Sequence, residues 1–347
     1  MRRLVNIILI MVVAVLLGGS CQRRPFAENR SKVVIALNIN TDIINHTQEK
    51  LPENMRVDLY DPNTAELMFT DYVGPTGGVI HPAPGIYNLI IYNIGTETTH
   101  IQNERNYNTI EAYTNEVAEY LKSKMSQFLA SRAKAAKERA ARLMGDVQAD
   151  DMLTKDSADY TDDSVVNQPD HIFVGWYHNL DIPVTYEDEP VIEVNIEIEA
   201  HTLVETWQVE IRNVTGTEHV SETAALVSGQ MGAVHIGTDV DSEKIVSVFF
   251  DMKVETRDDG GKIIKGKYNT FGIHPDRTDE VLIDLNVQNK GGGHQSFQFD
   301  VSEMIKDNPR RYILIEDPIT IDEAGGDGGG FHPKVDDWED INTDINL

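Results

Sequence analysis

Apolar and polar residues alternate along most of this chain, and that alternation predicts its elements. KVVIALNIN, from Lys32, puts Val33, Ile35, Leu37 and Ile39 on one face, the two-residue period of a half-buried strand. RVDLYD (Arg56 to Asp61) repeats the pattern with Val57 and Leu59, and ELMFTDYV follows the turn residues Pro62, Asn63 and Thr64. Gly77-Gly78 predicts a turn. A short strand, the breakers Pro82, Pro84 and Gly85, and a strong strand from Tyr87 to Ile94 come next. A second β region opens near Val191. There VIEVNIEIEA sets Ile192, Val194, Ile196 and Ile198 against Glu193, Asn195, Glu197 and Glu199, and ETWQVEIRNV puts Trp207, Val209 and Ile211 on one face. KIVSVFFDMKVET turns through Asp259-Gly260-Gly261 into a partner strand, a hairpin signature. A further hairpin sets Val281, Ile283, Leu285 and Val287 against Phe297, Phe299 and Val301.

Between the two β regions the period changes. From Thr109 to Met144, Val117, Tyr120, Leu121, Met125 and Phe128 recur at steps of three and four, which predicts a helix with an apolar stripe. The stripe fades into ASRAKAAKERAAR, and Gly145 is placed to cap the helix. Lys122, Lys124, Arg132, Lys134, Lys137, Arg139 and Arg142 make this the one strongly basic segment; it reads as a solvated extension or as an arm for an acidic partner or anionic headgroups. An acidic, apolar-poor linker follows. The expected architecture is all-β: two tandem β-sandwich domains, 32–108 and 169–321, flanking a helical insert and linker, 109–168. A Gly-rich tail, 322–347, ends in a strand with Ile341, Thr343, Ile345 and Leu347 on one face. That strand completes the protein's own sandwich or is donated to a neighbour.

The N-terminus belongs to a different class of segment. Met1-Arg2-Arg3, an apolar run from Leu4 to Leu17, and the small residues Gly18, Gly19 and Ser20 have the layout of a secretory signal peptide over 1–20. The run is too short to span a bilayer comfortably. Cys21, the chain's one cysteine, follows immediately and cannot form an internal disulfide. Small residues leading to Cys resemble the lipobox of bacterial lipoproteins. That resemblance implies an acylated Cys21, a membrane tether over 21–31, and an outer-membrane location on the surface or periplasmic face; the bland alternative is an ordinary leader with an incidental Cys.

A formal charge of −27 argues against nucleic-acid binding, which needs a basic footprint. No HExxH, Gly-x-Ser-x-Gly or phosphate-binding glycine loop occurs, so no catalytic residue, metal ligand or cofactor is assigned. TDVDSEK lacks the Gly and distal Glu of an EF-hand.

The stretch VDLYDPNTAELMFTDYVGPTGGVIHPAPGIYNLIIYN, behind a lipobox, resembles the fimbrillin superfamily of Bacteroidales lipoproteins. CQRRPF, EAYTN (Glu111 to Asn115), PDHIFVG (Pro169 to Gly175) and DWEDI (Asp337 to Ile341) are similar to lipoproteins related to fimbrium anchor and accessory subunits. The resemblance implies a first domain of transthyretin-like Greek-key fold, no enzymatic activity, and pilus or other surface subunits as partners joined by β-strand addition. It makes Arg30 the nearest candidate for proteolytic processing, Ile341 to Leu347 a candidate donor strand, and Ser157 and Ser164 candidate O-glycosylation sites. The alternative is a glycan-binding lipoprotein beside an outer-membrane transporter, which needs an aromatic platform from two of Trp176, Trp207 and Trp338.

Overall fold

The computed structural model describes residues 31–40, 52–117, 164–185, 190–238 and 242–323. In chain order the strands are β1 (Lys32–Ile39), β2 (Met55–Tyr60), β3 (Leu67–Val73), β4 (Gly77–Ile80), β5 (Gly85–Asn93), β6 (Thr99–Gln102), β7 (Glu111–Thr114), β8 (Ser164–Val166), β9 (Phe173–Ile182) and β10 (Glu193–Thr202). They continue with β11 (Glu205–Ile211), β12 (Val214–Thr215), β13 (Val220–Met231), β14 (Ala233–His235), β15 (Ile245–Thr256), β16 (Lys262–Thr270), β17 (Leu282–Asn289) and β18 (His294–Asp300). The short helix α1 (Ser302–Ile305), β19 (Tyr312–Ile315) and β20 (Ile319–Thr320) complete the described chain.

The fold is all-β, built on two curled sheets. The first has the order β3-β2-β5-β9-β10-β1-β4 and curls towards a barrel, with the Gly74–Gly77 bridge joining its outer strands. Its inward residues are those the alternation singles out: Val33, Ile35, Leu37, Val57, Leu59, Leu89, Ile91, Ile196 and Ile198 share one core. The predicted boundary at residue 169 is not where the sheets divide. β9 and β10 pair into the first sheet, β9 along β5 and β10 parallel to β1 over Lys32↔Glu193 to Ile39↔Ala200. Alternation fixes which face of a strand is buried and says nothing about its neighbour, so a pairing across 161 positions is invisible to it. The turn lies at 74–77, one step before the Gly-Gly pair: Gly77 closes it and Gly78 already lies within β4.

The second sheet, β18-β17-β13-β15-β16-β11-β19 with β8 beside β15, encloses Trp207, Val209, Ile211, Val227, Val248, Phe250, Leu285 and Phe299. Both predicted hairpins are present, β15–β16 through Gly260 at φ 85° and β17–β18 in the register Ile283↔Phe299 and Leu285↔Phe297.

The predicted helix over Thr109–Met144 is wrong at its start. Glu111–Thr114 is β7, held between β6 and β14, and Val117 packs with Val165 and Leu226 instead of leading an apolar stripe. Tertiary strand partners on both sides outweigh a local three-four spacing here. The remainder of the predicted insert lies outside the described residues.

The β14-β7-β6 sheet ties the two larger sheets together and helps roof the outer face of the first. Tyr60, Ile90, Tyr92 and Val174, which alternation points towards solvent, are buried under Tyr107, Ile110, Ile236 and Phe271. Asp58, on that same face, is fully buried. Its Oδ1 accepts from the Thr70 hydroxyl (2.6 Å) and Arg56 Nε (3.0 Å), and its Oδ2 accepts from the Tyr92 hydroxyl (2.9 Å). Arg56 also donates to Glu104 Oε2 (2.8 Å) and Tyr60 to the Glu104 carbonyl (2.9 Å), which fastens the roof to the sheet. Burial first, and then the Asp58 charge, push both tyrosine hydroxyls well above their ordinary pKa.

His171 sits at the joint between the sheets. Its Nε2 lies 3.0 Å from the Thr206 hydroxyl, which itself donates to Asn269 Oδ1, and its Nδ1 lies 2.8 Å from the Thr202 hydroxyl. A neutral ring with its proton on Nε2 fits this chain of donors and acceptors. Burial lowers its pKa to about 4. Since the unfolded imidazole titrates near ~6.5, the unfolded state binds more protons between these values, and His171 destabilises the fold as pH falls through that window. Thermal melts should show a midpoint that declines from about pH 6.5 towards 4, with a shallower decline in His171→Gln.

Candidate strand-docking edge

The pairing registers fix where the described chain enters and leaves. β1 starts at the end of the first sheet where β9 stops and β10 starts: Ser31 Oγ donates to the Pro183 carbonyl (2.8 Å) and Lys32 N to the Ile192 carbonyl (3.0 Å). The second sheet joins the opposite end, where β10 runs into β11. From there β11 runs away from the joint, and Asn289, His294 and Asp322 gather at the far end, with Asn289 Nδ2 donating to the Asp322 carbonyl (3.0 Å). Ser31 therefore lies at the end of the first sheet away from the joint, and Glu323 at the end of the second sheet away from it.

Between β9 and β10 the first sheet opens. The two strands pair only at His201↔Val174 and Thr202↔Phe173, just past a close crossing at Gly175. A Cβ on Gly175 would lie 2.5 Å from Ile198 Cγ2 and 3.1 Å from the Glu199 carbonyl oxygen, so the approach requires glycine. Beyond that corner the described residues form no further β9–β10 pairing. Among the described residues, β10 from Glu193 to Glu199 has β1 on one side and no strand on the other.

The backbone phase identifies the open groups. In a parallel pair alternate residues direct both N–H and C=O to the same neighbour. Lys32 N bonds the Ile192 carbonyl and Asn40 N the Ala200 carbonyl, so the even-numbered residues of β10 serve β1. Glu193, Asn195, Glu197 and Glu199 direct theirs into the seam. Such a row is a template for an added strand. Their side chains are exposed, while Ile196 and Ile198 face the core. Val184 and Val191, 59% and 50% exposed, flank the end of the seam where the chain enters.

The other flank of the curled sheet is less available. Leu67 N already bonds the Arg105 carbonyl (2.9 Å), the Gly74–Gly77 turn joins β3 to β4, and β4 has only four residues.

Of the residues that sequence analysis singles out, Cys21, Arg30, Ser157, Trp338 and the strand Ile341, Thr343, Ile345, Leu347 lie outside the described residues. Ser164 opens β8, and its hydroxyl donates to Glu116 Oε1 (3.1 Å). Trp207 is buried in the second core, and Trp176 is half-buried at the joint with its Nε1 donating to the Ile236 carbonyl (2.7 Å). The acidic face of β10 is legible in the sequence. That one side of its backbone has no strand partner among the described residues is not, because no residue type marks it.

Comparison with known proteins places this architecture. A family described as a domain of unknown function, DUF5119, matches residues 20–251. The chain belongs to the DUF5119 family. A Bacteroides ovatus protein provisionally named fimbrium anchoring subunit Fim4B is 30% identical to this DUF5119 chain over 106 residues, which is 30% of this chain and 31% of that protein. The match thus spans about a third of that relative's length. A crystal structure of a provisionally named adhesin from Bacteroides ovatus superposes with a TM-score of 0.53 at 22% identity, over 86% of this chain and 94% of that one. The fimbrial anchor protein Mfa2 from Porphyromonas gingivalis has a TM-score of 0.45 at 10% identity, over 82% and 90% of the two chains. The DUF5119 chain and the Bacteroides ovatus adhesin share a fold.

Proposed function

We propose that this chain is a non-enzymatic, lipid-anchored subunit of a surface fimbrium, an anchor or accessory component that joins its neighbours by β-strand addition. On this reading the first sheet is a transthyretin-like Greek key of the fimbrillin kind. Acylated Cys21 holds the protein in the outer membrane through the tether that enters at Ser31. The observation that carries the proposal is the opposed placement of the two ends: the tether enters the first sheet at its outer end, and the tail leaves beyond Glu323 at the far end of the second. A strand at 341–347 then departs on the side away from the membrane, where the next subunit stands, and the Gly-rich leader from Gly325 to Gly330 gives it reach. The provisional name of the Bacteroides ovatus relative supports the same role.

Proteolysis at Arg30 would have a different consequence from one that frees a groove. β1 begins two residues later and lies between β10 and β4, so a cut there releases the body from its tether and leaves β1 in place. The glycan-binding alternative draws no support from Trp176 or Trp207, since neither ring forms an exposed platform.

Removing 336–347 is expected to leave a folded body that no longer co-purifies with fimbrial material from native membranes, while Cys21→Ser shifts the protein out of the membrane fraction. Full co-purification of the truncated protein would defeat the strand-donor role. Retention of the serine variant in outer membranes would defeat the lipid anchor.

A further inference from the structure

The open edge of β10 specifies the chemistry of the strand that fills it. We infer that this edge accepts an extended segment from a different protein, one whose alternate residues are apolar and basic, and rejects the acidic tail of a second copy of this chain. The inference rests on the strand-addition reading above and names the partner at one of its sites.

The phase established by Lys32 and Asn40 makes the residues with unpaired backbone the same ones that carry the exposed side chains Glu193, Asn195, Glu197 and Glu199. They span roughly 20 Å at ~3.3 Å per residue, the length of an ordinary strand. A segment laid along this edge must place every second side chain beside that row, within about 5 Å of the nearest carboxylate-bearing residue. Opposite charges are favoured at that range and like charges are disfavoured. Local cations neutralise only part of the row. Lys32 pairs with Glu193 at 2.6 Å, and Glu199 accepts from Asn40 Nδ2 at 3.1 Å with His201 Nε2 3.9 Å away. Glu197 has no ion-pair partner among the described residues. The intervening side chains of the incoming strand face Val194, Ile196 and Ile198, and at the entry end they meet the exposed Val184 and Val191. Apolar residues are required there and cations on the other face.

This chain's own tail does not meet the specification. VDDWEDINTDINL contains Asp336, Asp337, Glu339, Asp340 and Asp344 and no Lys or Arg. With Ile341, Thr343, Ile345 and Leu347 turned inward, Asp344 comes opposite the glutamate row. Charge therefore selects a heterotypic partner and opposes self-polymerisation through this edge.

The test uses the mature full chain and three blocked peptides of about nine to twelve residues: one alternating Val with Lys, one alternating Val with Asp, and this chain's own 336–347. Fluorescence anisotropy should show the basic peptide binding at least about tenfold tighter than either acidic one, with the preference shrinking between about 50 and 300 mM salt. Glu197→Pro removes an N–H that β1 does not use and blocks the edge, so it should abolish binding of the basic peptide. Glu197→Gln with Glu199→Gln leaves the backbone intact and should erase the preference for the basic peptide. Should the acidic tail bind as well as the basic peptide, and the proline block both, strand addition at this edge would stand and the charge rule would fall. Binding that the proline leaves unchanged, or no binding by any peptide, would instead remove this edge as a strand acceptor.

Discussion

Asp58→Ala should lower the stability of the first sheet by about 3–5 kcal/mol, the range for removing one partner from a buried charged network. The carboxylate is fully buried and accepts from the Thr70 and Tyr92 hydroxyls and from Arg56 Nε. Its removal leaves two hydroxyl donors without their acceptor, and the Arg56 guanidinium with Glu104 as its carboxylate partner. Each orphaned buried donor costs about 1–3 kcal/mol on its own. Asp58→Asn keeps the shape and one acceptor and should fall between the alanine variant and the wild type. Denaturant titration followed by tyrosine fluorescence would check this, since Tyr60 and Tyr92 report from the network itself. A loss below about 1 kcal/mol for the alanine variant would mean that the roof of 101–110 holds without it.

Gly77→Ala is the second substitution with a large expected effect. Gly77 has a φ of 100°, and a Cβ there would lie 2.0 Å from the Ile35 carbonyl oxygen. The obstacle is backbone on β1, held by the β1–β4 pairing Val33↔Ile80 to Ala36↔Gly77, so relief requires parting the two strands. Strain of the left-handed backbone is about 1–3 kcal/mol, and the clash adds to it; a loss of about 3 kcal/mol or more is expected. Gly95→Ala is the control, because its φ is 84° but nothing lies within 4 Å of the added atom. It should cost only about 1 kcal/mol. Equal melting points for the two variants would show that the close approach of β4 to β1 is dispensable.

These positions mark the limits of what the sequence discloses. Alternation reads VDLYD as a strand with Val57 and Leu59 inward, and both are in the first core. The same rule sends Asp58 to solvent, yet it is buried, because residues from the 101–110 region and from Ile236 cover that face. Gly77 is conspicuous in the sequence as half of a Gly-Gly pair, but its role belongs to β1, where it pairs with Ala36, 41 residues away. At the candidate site, the alternation of VIEVNIEIEA displays the acidic face and the apolar face of β10 in full. Neither the parallel partner β1 nor the opposite edge, which has no strand among the described residues, can be read from it.

The division has a physical basis. Side-chain alternation and turn residues such as Asp259-Gly260-Gly261 express local geometry, which each short segment carries within itself, so the sequence alone determined the all-β class and the inward face of most strands. The acidic balance and the apolar run from Leu4 to Leu17 before Cys21 are equally local facts of composition. Which strand lies beside which depends on backbone hydrogen bonds, and these are chemically the same for nearly every residue. Only the tertiary structure decided that β9 and β10 belong to the first sheet, that Glu111–Thr114 is a strand between β6 and β14, and that one edge of β10 has no strand partner among the described residues.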